Sequence, residues 1–265
     1  MSDVFADRLA DWQAYTRTPW SRIRYAVVAE TLRRQVLALA PGGERLRILD
    51  VGGGDGRDSV PLAAGGHDVT ILDPAAEWLA EAERRAAESG AAITTVLGGL
   101  DDLFGAFAGR EYDLVLCHFV LRYRPAGAAS DGHTDAERLA ALVRPGGRLS
   151  LIDANPAALV LMQLTRSGPE AALAELGRET SHTVTFDHDT RKYGLAEAEA
   201  DLAAARLRVV AGYGARIAND LLTDDAAKHD PAYFARMLEL EIALCDQEPF
   251  RRIGGLWQLV AERPA

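Results

Sequence analysis

Cysteines, long apolar segments and a basic leader are scarce or missing in this sequence. Only Cys117 and Cys245 occur among 265 residues, too few for a disulfide framework or a cysteine metal site. The longest apolar runs, such as residues 112–117, have the length of a strand and fall short of the roughly 20 residues that span a membrane. The amino terminus lacks the basic start and apolar stretch of a signal peptide. These absences predict a cytoplasmic protein without a membrane segment.

Positive charge is also in short supply, and this affects the choice of partner. The formal net charge is −10, whereas general nucleic-acid binders carry a basic face that neutralises phosphates. The sequence therefore favours a small-molecule substrate over a nucleic acid. One His/Asp cluster, at residues 182–189, is interpreted as a solvated loop, because neighbouring loop residues rarely converge on one ion. No metal site is predicted.

Short apolar runs alternate with helical stretches along most of the chain. Strands are predicted at 46–51, 67–72, 93–97, 112–117, 148–153, 208–211 and 256–261. This alternation is typical of an α/β protein with a mostly parallel seven-stranded sheet and helices on both faces. Because no linker interrupts the pattern, we expect one domain over 1–265. It would carry a helical lid at 1–44 and, after the fifth strand, a helical cap with a polar loop at 154–194.

A glycine-rich segment, Asp50-Val-Gly-Gly-Gly-Asp-Gly56, directly follows the first predicted strand. Its glycines tolerate positive φ and let the backbone approach a ligand closely, at the strand end where α/β sheets bind ligands. The spacing does not fit the dinucleotide pattern G-x-G-x-x-G, and Gly56-Arg57 does not supply the Gly-Lys of a P-loop. A simple tight turn explains one glycine but not four in five positions. The loop therefore predicts a ligand site.

Asp73 ends the second predicted strand, nineteen residues after Gly54. A carboxylate at this place can accept both hydroxyl hydrogens of a ribose through charge-assisted hydrogen bonds. It can instead cap the helix predicted to begin at Pro74. Its joint occurrence with the glycine loop favours the ribose.

Four ordered segments resemble class I S-adenosylmethionine-dependent methyltransferases: residues 48–56, Asp73, 112–117 and 142–147. The resemblance implies a Rossmann-like fold and S-adenosylmethionine as the cofactor. Over most of the chain the sequence is also similar to the tRNA methyltransferase family that esterifies carboxymethoxyuridine at the wobble position. That similarity lies in residues 21–24, 117–121, 214–216 and 238–249.

The resemblance implies a set of cofactor contacts. Arg24 would meet the methionine carboxylate, and Asp73 would hold the ribose. His118 would border the cofactor, although a structural histidine is a nearly equal reading, and Asp101 would reach the adenine amino group unless it is a solvated strand-end residue. The remaining contacts are Gly52, Gly53, Gly54, Gly99 and Leu100.

The acceptor side is assigned to three residues. Arg216 would anchor a substrate carboxylate, since its planar fork matches two oxygens; a surface charge is the alternative. Tyr15 and Trp20 belong to an aromatic segment that could close over the site. An ionised carboxylate acceptor needs no general base, whereas a hydroxyl can need one, for which His118, Asp153 and Tyr15 are candidates.

Two departures from the tRNA-modifying family shape the functional hypothesis. Residues 177–189 replace a lysine-rich run of that family, and Gly255 stands where an arginine is expected. We therefore expect methyl transfer to an oxygen, carboxylate or hydroxyl, of a polar and anionic small molecule. The tRNA methyltransferase activity is the alternative. A non-catalytic scaffold is disfavoured, because it has no need of the glycine loop and Asp73.

Overall fold

A computed structural model describes residues 8–127, 129 and 131–265. The α-helices are α1 Leu9–Thr16, α2 Pro19–Leu39, α3 Val60–Ala64, α4 Ala76–Glu88, α5 Leu103–Ala106, α6 Asp135–Ala141, α7 Pro156–Ser167, α8 Pro169–Leu176, α9 Leu195–Ala204, α10 Ile217–Leu221 and α11 Pro231–Leu244. The strands are β1 Arg47–Val51, β2 Asp68–Asp73, β3 Thr94–Leu97, β4 Tyr112–His118, β5 Val143–Ala154, β6 Thr180–Thr183, β7 His188–Arg191, β8 Arg208–Ala215 and β9 Leu256–Glu262.

Seven of these strands form the central sheet, in the order β3-β2-β1-β4-β5-β9-β8. All neighbours are parallel except β9, which runs antiparallel to β5 and β8. The apolar runs of β1 and β4 are buried on both faces by two hydrophobic clusters, as expected for parallel strands covered by helices. The predicted seven-stranded, mostly parallel sheet is confirmed. Strand order reverses between β1 and β4, which opens a crevice at their carboxyl ends.

Two strands are longer than predicted, for identifiable reasons. β5 begins at Val143 and continues through Pro145, because the proline lies where the pairing with β4 shifts register and no ladder donor is needed. β8 extends to Ala215 rather than ending at residue 211. A Cβ on Gly214 would lie 2.4 Å from the Arg251 carbonyl oxygen. The glycine therefore permits close packing of β8 against the turn that contains Arg251.

The cap differs from the prediction of helices and a polar loop. Helices α7 and α8 are followed by a β-hairpin, in which β6 pairs antiparallel with β7. The His and Asp residues at 182–189 are solvent-exposed as interpreted, but this segment forms the turn of the hairpin and the adjoining ends of its two strands. Polar residues such as Thr180 and His182 conceal this strand, because the hairpin lies on the surface and lacks the apolar alternation of a half-buried strand.

The amino-terminal lid predicted at 1–44 contains two helices, Leu9–Thr16 and Pro19–Leu39. Residues 1–7 of that prediction lie outside the described part of the chain. The second helix begins at Pro19, where a proline fits the first turn. Within the described segments, no helix combines the length and hydropathy required for a bilayer crossing.

Candidate functional site

The glycine loop forms the floor of a cavity of about 140 Å³ at the carboxyl ends of β1, β2 and β4. Gly52 and Gly54 have φ of 70° and 52°, values that glycine adopts without the cost of a Cβ. A Cβ on Gly52 would lie 2.4 Å from Val120, and one on Gly53 would lie 2.5 Å from the Asp50 carboxylate. The loop therefore presents main chain to the cavity, as the sequence pattern predicts. Gly99 and Leu100 line the same cavity.

Asp73 lies at the end of β2 and lines this cavity. One carboxylate oxygen accepts the Gly54 N–H and the other accepts the Ala75 N–H, both at 2.9 Å. Ala75, not Asp73, is the N-cap of α4, which removes the capping alternative. A carboxylate offers about four lone-pair sites, so two remain for the two hydroxyl groups of a ribose. Burial raises the pKa of Asp73 to about 6, although the two backbone hydrogen bonds oppose the shift.

Arg24 reaches the same cavity from α2, but it does not stand alone. Its two terminal nitrogens donate to the two oxygens of Asp58 at 2.6 and 2.7 Å, and each side chain is only 9% exposed. Each terminal nitrogen keeps a second N–H, so Arg24 can still donate to a ligand carboxylate. Asp58 was not singled out from the sequence; its place two residues after Gly56 was the one available signal.

His118 is fixed by hydrogen bonds at both ring nitrogens. Nδ1 lies 2.8 Å from Asp58, and Nε2 lies 3.0 Å from the Ser150 hydroxyl. Burial lowers the pKa of His118, against the opposing effect of the nearby Asp58 carboxylate, and this favours the neutral ring. A neutral ring donates from Nδ1 to Asp58 and accepts from Ser150. With both nitrogens engaged, His118 borders the cavity as a structural group and not as a base.

Three other predicted site residues lie away from the cavities. Asp101 ion-pairs with Arg124 on the surface and is absent from the cavity lining. Asp153 is buried behind Arg122, and Trp20 lines neither this cavity nor its neighbour. The structure therefore does not bring these three predicted residues into the lining of either cavity, and their roles stay predictions.

An aromatic cluster covers the cavity from above. Trp12 of α1 stacks on Tyr15 at 5.4 Å between ring centroids and on Phe186 at 5.6 Å. Phe186 lies in the turn of the cap hairpin, and both it and Trp12 contact Trp78 of α4. The amino-terminal helix and the cap hairpin thus meet over the crevice. Trp12, rather than the predicted Trp20, is the tryptophan that the amino-terminal region contributes.

A second cavity of about 340 Å³ adjoins the first, beyond the ends of β5 and β8 and the start of β9. Six residues line both cavities and form their common wall: Trp12, Arg24, Tyr25, Phe119, Tyr123 and Phe186. Three further residues line the second cavity but not the first: Tyr15, Arg122 and Arg216. The two cavities therefore lie side by side, and mostly aromatic side chains form the boundary between them.

Arg216 is held in a rigid turn at the start of α10. It adopts a left-handed conformation with φ of 59°, which costs energy for a residue other than glycine. The buried Glu241 accepts the backbone N–H groups of Ile217 and Asn219, each at 2.8 Å. At the other end of α10 the buried Lys228 donates to the carbonyl oxygens of Asn219 and Leu222. These charges compensate both helix ends and fix Arg216 at the cavity.

The Arg216 guanidinium is paired with Asp220, at Nε–Oδ1 3.0 Å and Nη2–Oδ2 2.8 Å. A Cβ on Gly255 would lie 2.1 Å from the Asp220 carboxylate. The glycine at position 255 therefore makes room for this ion pair, and a larger residue would displace Asp220.

Comparisons with known proteins agree with this geometry. Residues 48–147 match the family model described as a methyltransferase domain. The tRNA 5-carboxymethoxyuridine methyltransferase of Escherichia coli K12 is 25% identical over 249 residues, which cover 93% of this chain and 90% of the relative. The magnesium protoporphyrin IX methyltransferase of Synechocystis PCC 6803, crystallised with bound SAH, shares the fold with a TM-score of 0.62. The two sequences are 18% identical, and the alignment covers 99% of this chain and 97% of the Synechocystis chain.

Proposed function

Because this chain belongs to the class I S-adenosylmethionine-dependent methyltransferases, we propose that it methylates an oxygen of a polar, anionic small molecule held in the second cavity. The observation that carries the proposal is the wall shared by the two cavities. An acceptor bound in the second cavity would lie directly beside a methyl donor bound in the first. Alignment of this kind contributes on the order of 7–11 kcal/mol when the geometry is favourable.

The residues of the first cavity fit the cofactor. The bare main chain of Gly52 and Gly54 admits a nucleoside closely, and Asp73 retains two acceptor sites for the ribose hydroxyls. Arg24 retains N–H groups for the methionine carboxylate. When bound, the cofactor supplies an activated methyl group on a sulfonium, and the protein positions it.

A carboxylate oxygen is the acceptor that the hydrogen bonding of the nearby side chains favours. In the described part of the chain, His118 is engaged at both nitrogens and Asp220 is bound to Arg216. A carboxylate acceptor is already ionised at neutral pH and needs no proton removed. Tyr15 and Tyr25 line the second cavity and offer hydroxyl groups to orient the acceptor.

Methylation of a modified wobble uridine in tRNA is the second candidate. The similarity to the Escherichia coli tRNA methyltransferase over almost the whole chain favours it. The acidic chain and the pairing of cap arginines argue against it, since phosphate binding needs available positive charge. Arg166, Arg178 and Arg191 of the cap contact Asp225, Glu175 and Glu197.

Methyl-labelled cofactor separates the two candidates. The protein is incubated with bulk tRNA or with a metabolite extract, and Asp73→Ala, assayed at limiting cofactor, serves as the low-activity control. We expect label in the small-molecule fraction; label confined to tRNA would contradict the proposal and support the second candidate. Mild alkali then releases label from a carboxyl ester but not from a methyl ether, which identifies the acceptor oxygen.

A further inference from the structure

Three arginines line the second cavity. Arg24 donates from both terminal nitrogens to Asp58, and the other two, Arg122 and Arg216, differ in how fully they are bonded. Arg216 donates twice to Asp220, at 3.0 and 2.8 Å. Asp220 also accepts from the Asn219 side chain at 2.7 Å. The Arg216 charge is thus compensated by a carboxylate in good hydrogen-bonding geometry. What it offers a ligand is its remaining N–H groups rather than a net charge.

Arg122 is much less satisfied. It follows β4, is 11% exposed, and makes one side-chain hydrogen bond among the described residues, from Nη2 to the Ser181 hydroxyl at 3.2 Å. Its Nε lies 3.3 Å from Asp153 Oδ1 but is buried without a hydrogen bond. Asp153 Oδ2 is likewise buried without a partner in the described structure. A guanidinium carries five N–H donors, so most of this capacity remains for a ligand.

A buried arginine that is incompletely bonded is costly unless something completes its hydrogen bonds. The cavity that Arg122 lines can hold such a group, and the guanidinium fork fits a carboxylate. Phe119 lies three residues before Arg122 and Tyr123 directly follows it, and both line the same cavity. Their aromatic rings suit a flat apolar body attached to the carboxylate. Contacts from the cap hairpin hold the arginine in place: Ser181 accepts its hydrogen bond, and Tyr123 stacks on His188 at 5.9 Å.

We propose that Arg122, and not Arg216, selects the charge of the acceptor by binding the carboxylate of a small planar acid. Arg216 contributes hydrogen bonds without charge selection. The inference rests on the proposed function only in taking the second cavity as the acceptor site.

Benzoate and benzamide are a suitable pair of probes, because they have the same shape and differ in charge. Their affinities for the SAH-saturated protein are measured by calorimetry. We expect benzoate to bind at least tenfold more tightly than benzamide, the lower end of what a hydrogen bond to a charged group contributes. A wild-type protein that binds neither compound, or both equally, would overturn the inference.

Two charge-neutral double variants compare the arginines directly. Arg122→Gln with Asp153→Asn removes one ion pair, and Arg216→Gln with Asp220→Asn removes the other, so the net charge stays the same. The first variant should bring the benzoate preference to within twofold of unity. The second should retain it within threefold, even if both affinities fall. The opposite pattern would assign charge selection to Arg216.

Single variants guard against misfolding of the double variant. Asp153→Asn removes the carboxylate that competes for Arg122 and should raise benzoate affinity several-fold, with SAH affinity unchanged. Arg122→Lys keeps the charge but loses the fork, so it should reduce the preference without abolishing it. An unchanged preference in both single variants would contradict the inference. Label found only on tRNA would end the proposed small-molecule function but leave the benzoate result standing.

Discussion

The cofactor crevice and the acceptor cavity are built in different ways. The floor of the crevice comes from one loop and the ends of adjacent parallel strands, with Gly52, Gly54 and Asp73 supplying main chain and a carboxylate. The acceptor cavity takes side chains from the amino-terminal helix, the turn after β4, the cap, α10 and the start of β9. A fixed cofactor is thus met by local backbone geometry, whereas acceptor choice depends on side chains brought from distant segments.

The same contrast holds for the buried charges. Asp58 accepts from both terminal nitrogens of Arg24 and also contacts His118, so the charges of this buried pair compensate each other. At the acceptor cavity, Arg122 and Asp153 lie close together without a hydrogen bond between their side chains. We infer that the crevice is rigid before a ligand arrives and that the acceptor cavity is completed by its ligand.

The largest effect is expected for Asp58→Asn. This change leaves the Arg24 charge buried and without its counter-ion, which costs about 3–5 kcal/mol for a buried pair. The free energy of unfolding in urea should fall by this amount, and cofactor affinity should fall with it. Asp101→Asn is the matched control, because Asp101 pairs with Arg124 while 61% exposed; it should cost less than about 1 kcal/mol. Equal losses would show that burial does not distinguish the two pairs.

Asp73→Ala tests whether the carboxylate in the crevice binds the ribose of the cofactor. Loss of the ribose acceptor should weaken cofactor binding by about 1.5–3 kcal/mol, the range for hydrogen bonds to charged groups, when measured by calorimetry. Asp68→Ala changes the carboxylate at the opposite end of the same strand, where it is exposed and pairs with Arg45, and should leave cofactor affinity unchanged. Unaltered binding by Asp73→Ala would refute the ribose assignment.

A smaller effect is expected from pH. Burial raises the pKa of Asp73 to about 6, so the ionised form that accepts ribose hydroxyls is lost as the pH falls through 6. Cofactor affinity should fall about tenfold between pH 7 and pH 5. Burial also raises the pKa of Asp50, in the same cavity, to about 7. The part of the pH dependence that Asp73→Asn removes therefore belongs to Asp73.

The free energy of unfolding should also depend on the protonation of Asp73, but in the opposite direction from cofactor affinity: the contribution of this group should be higher at low pH. A carboxyl group whose pKa is raised by folding favours the folded state at low pH, and this contribution is lost as the pH rises through its folded pKa. Without cofactor, Asp73→Asn should therefore increase the free energy of unfolding at pH 7 and leave it unchanged below pH 4. A decrease at pH 7 would mean that the ionised carboxylate stabilises the empty protein.

The sequence by itself determined the sheet, the glycine loop and Asp73. Each depends on spacing within a short segment: apolar runs of strand length, and glycines where a turn must present main chain. The hairpin at residues 180–191 escaped prediction because its polar residues carry no burial pattern. Pro145 was expected to precede the fifth strand, because the proline signal is local whereas the register shift that accommodates it involves two strands.

Only the tertiary structure decided the ion pairs. Arg24 and Asp58 lie 34 residues apart in sequence, and Arg122 meets Asp153 from a different strand end. No local pattern encodes such partners, since any carboxylate in the chain is a candidate until the fold brings one into contact. For the same reason the sequence predicted Arg216 as an anchor but could not show that Asp220 compensates its charge. The structure also placed Trp12, and not Trp20, over the crevice.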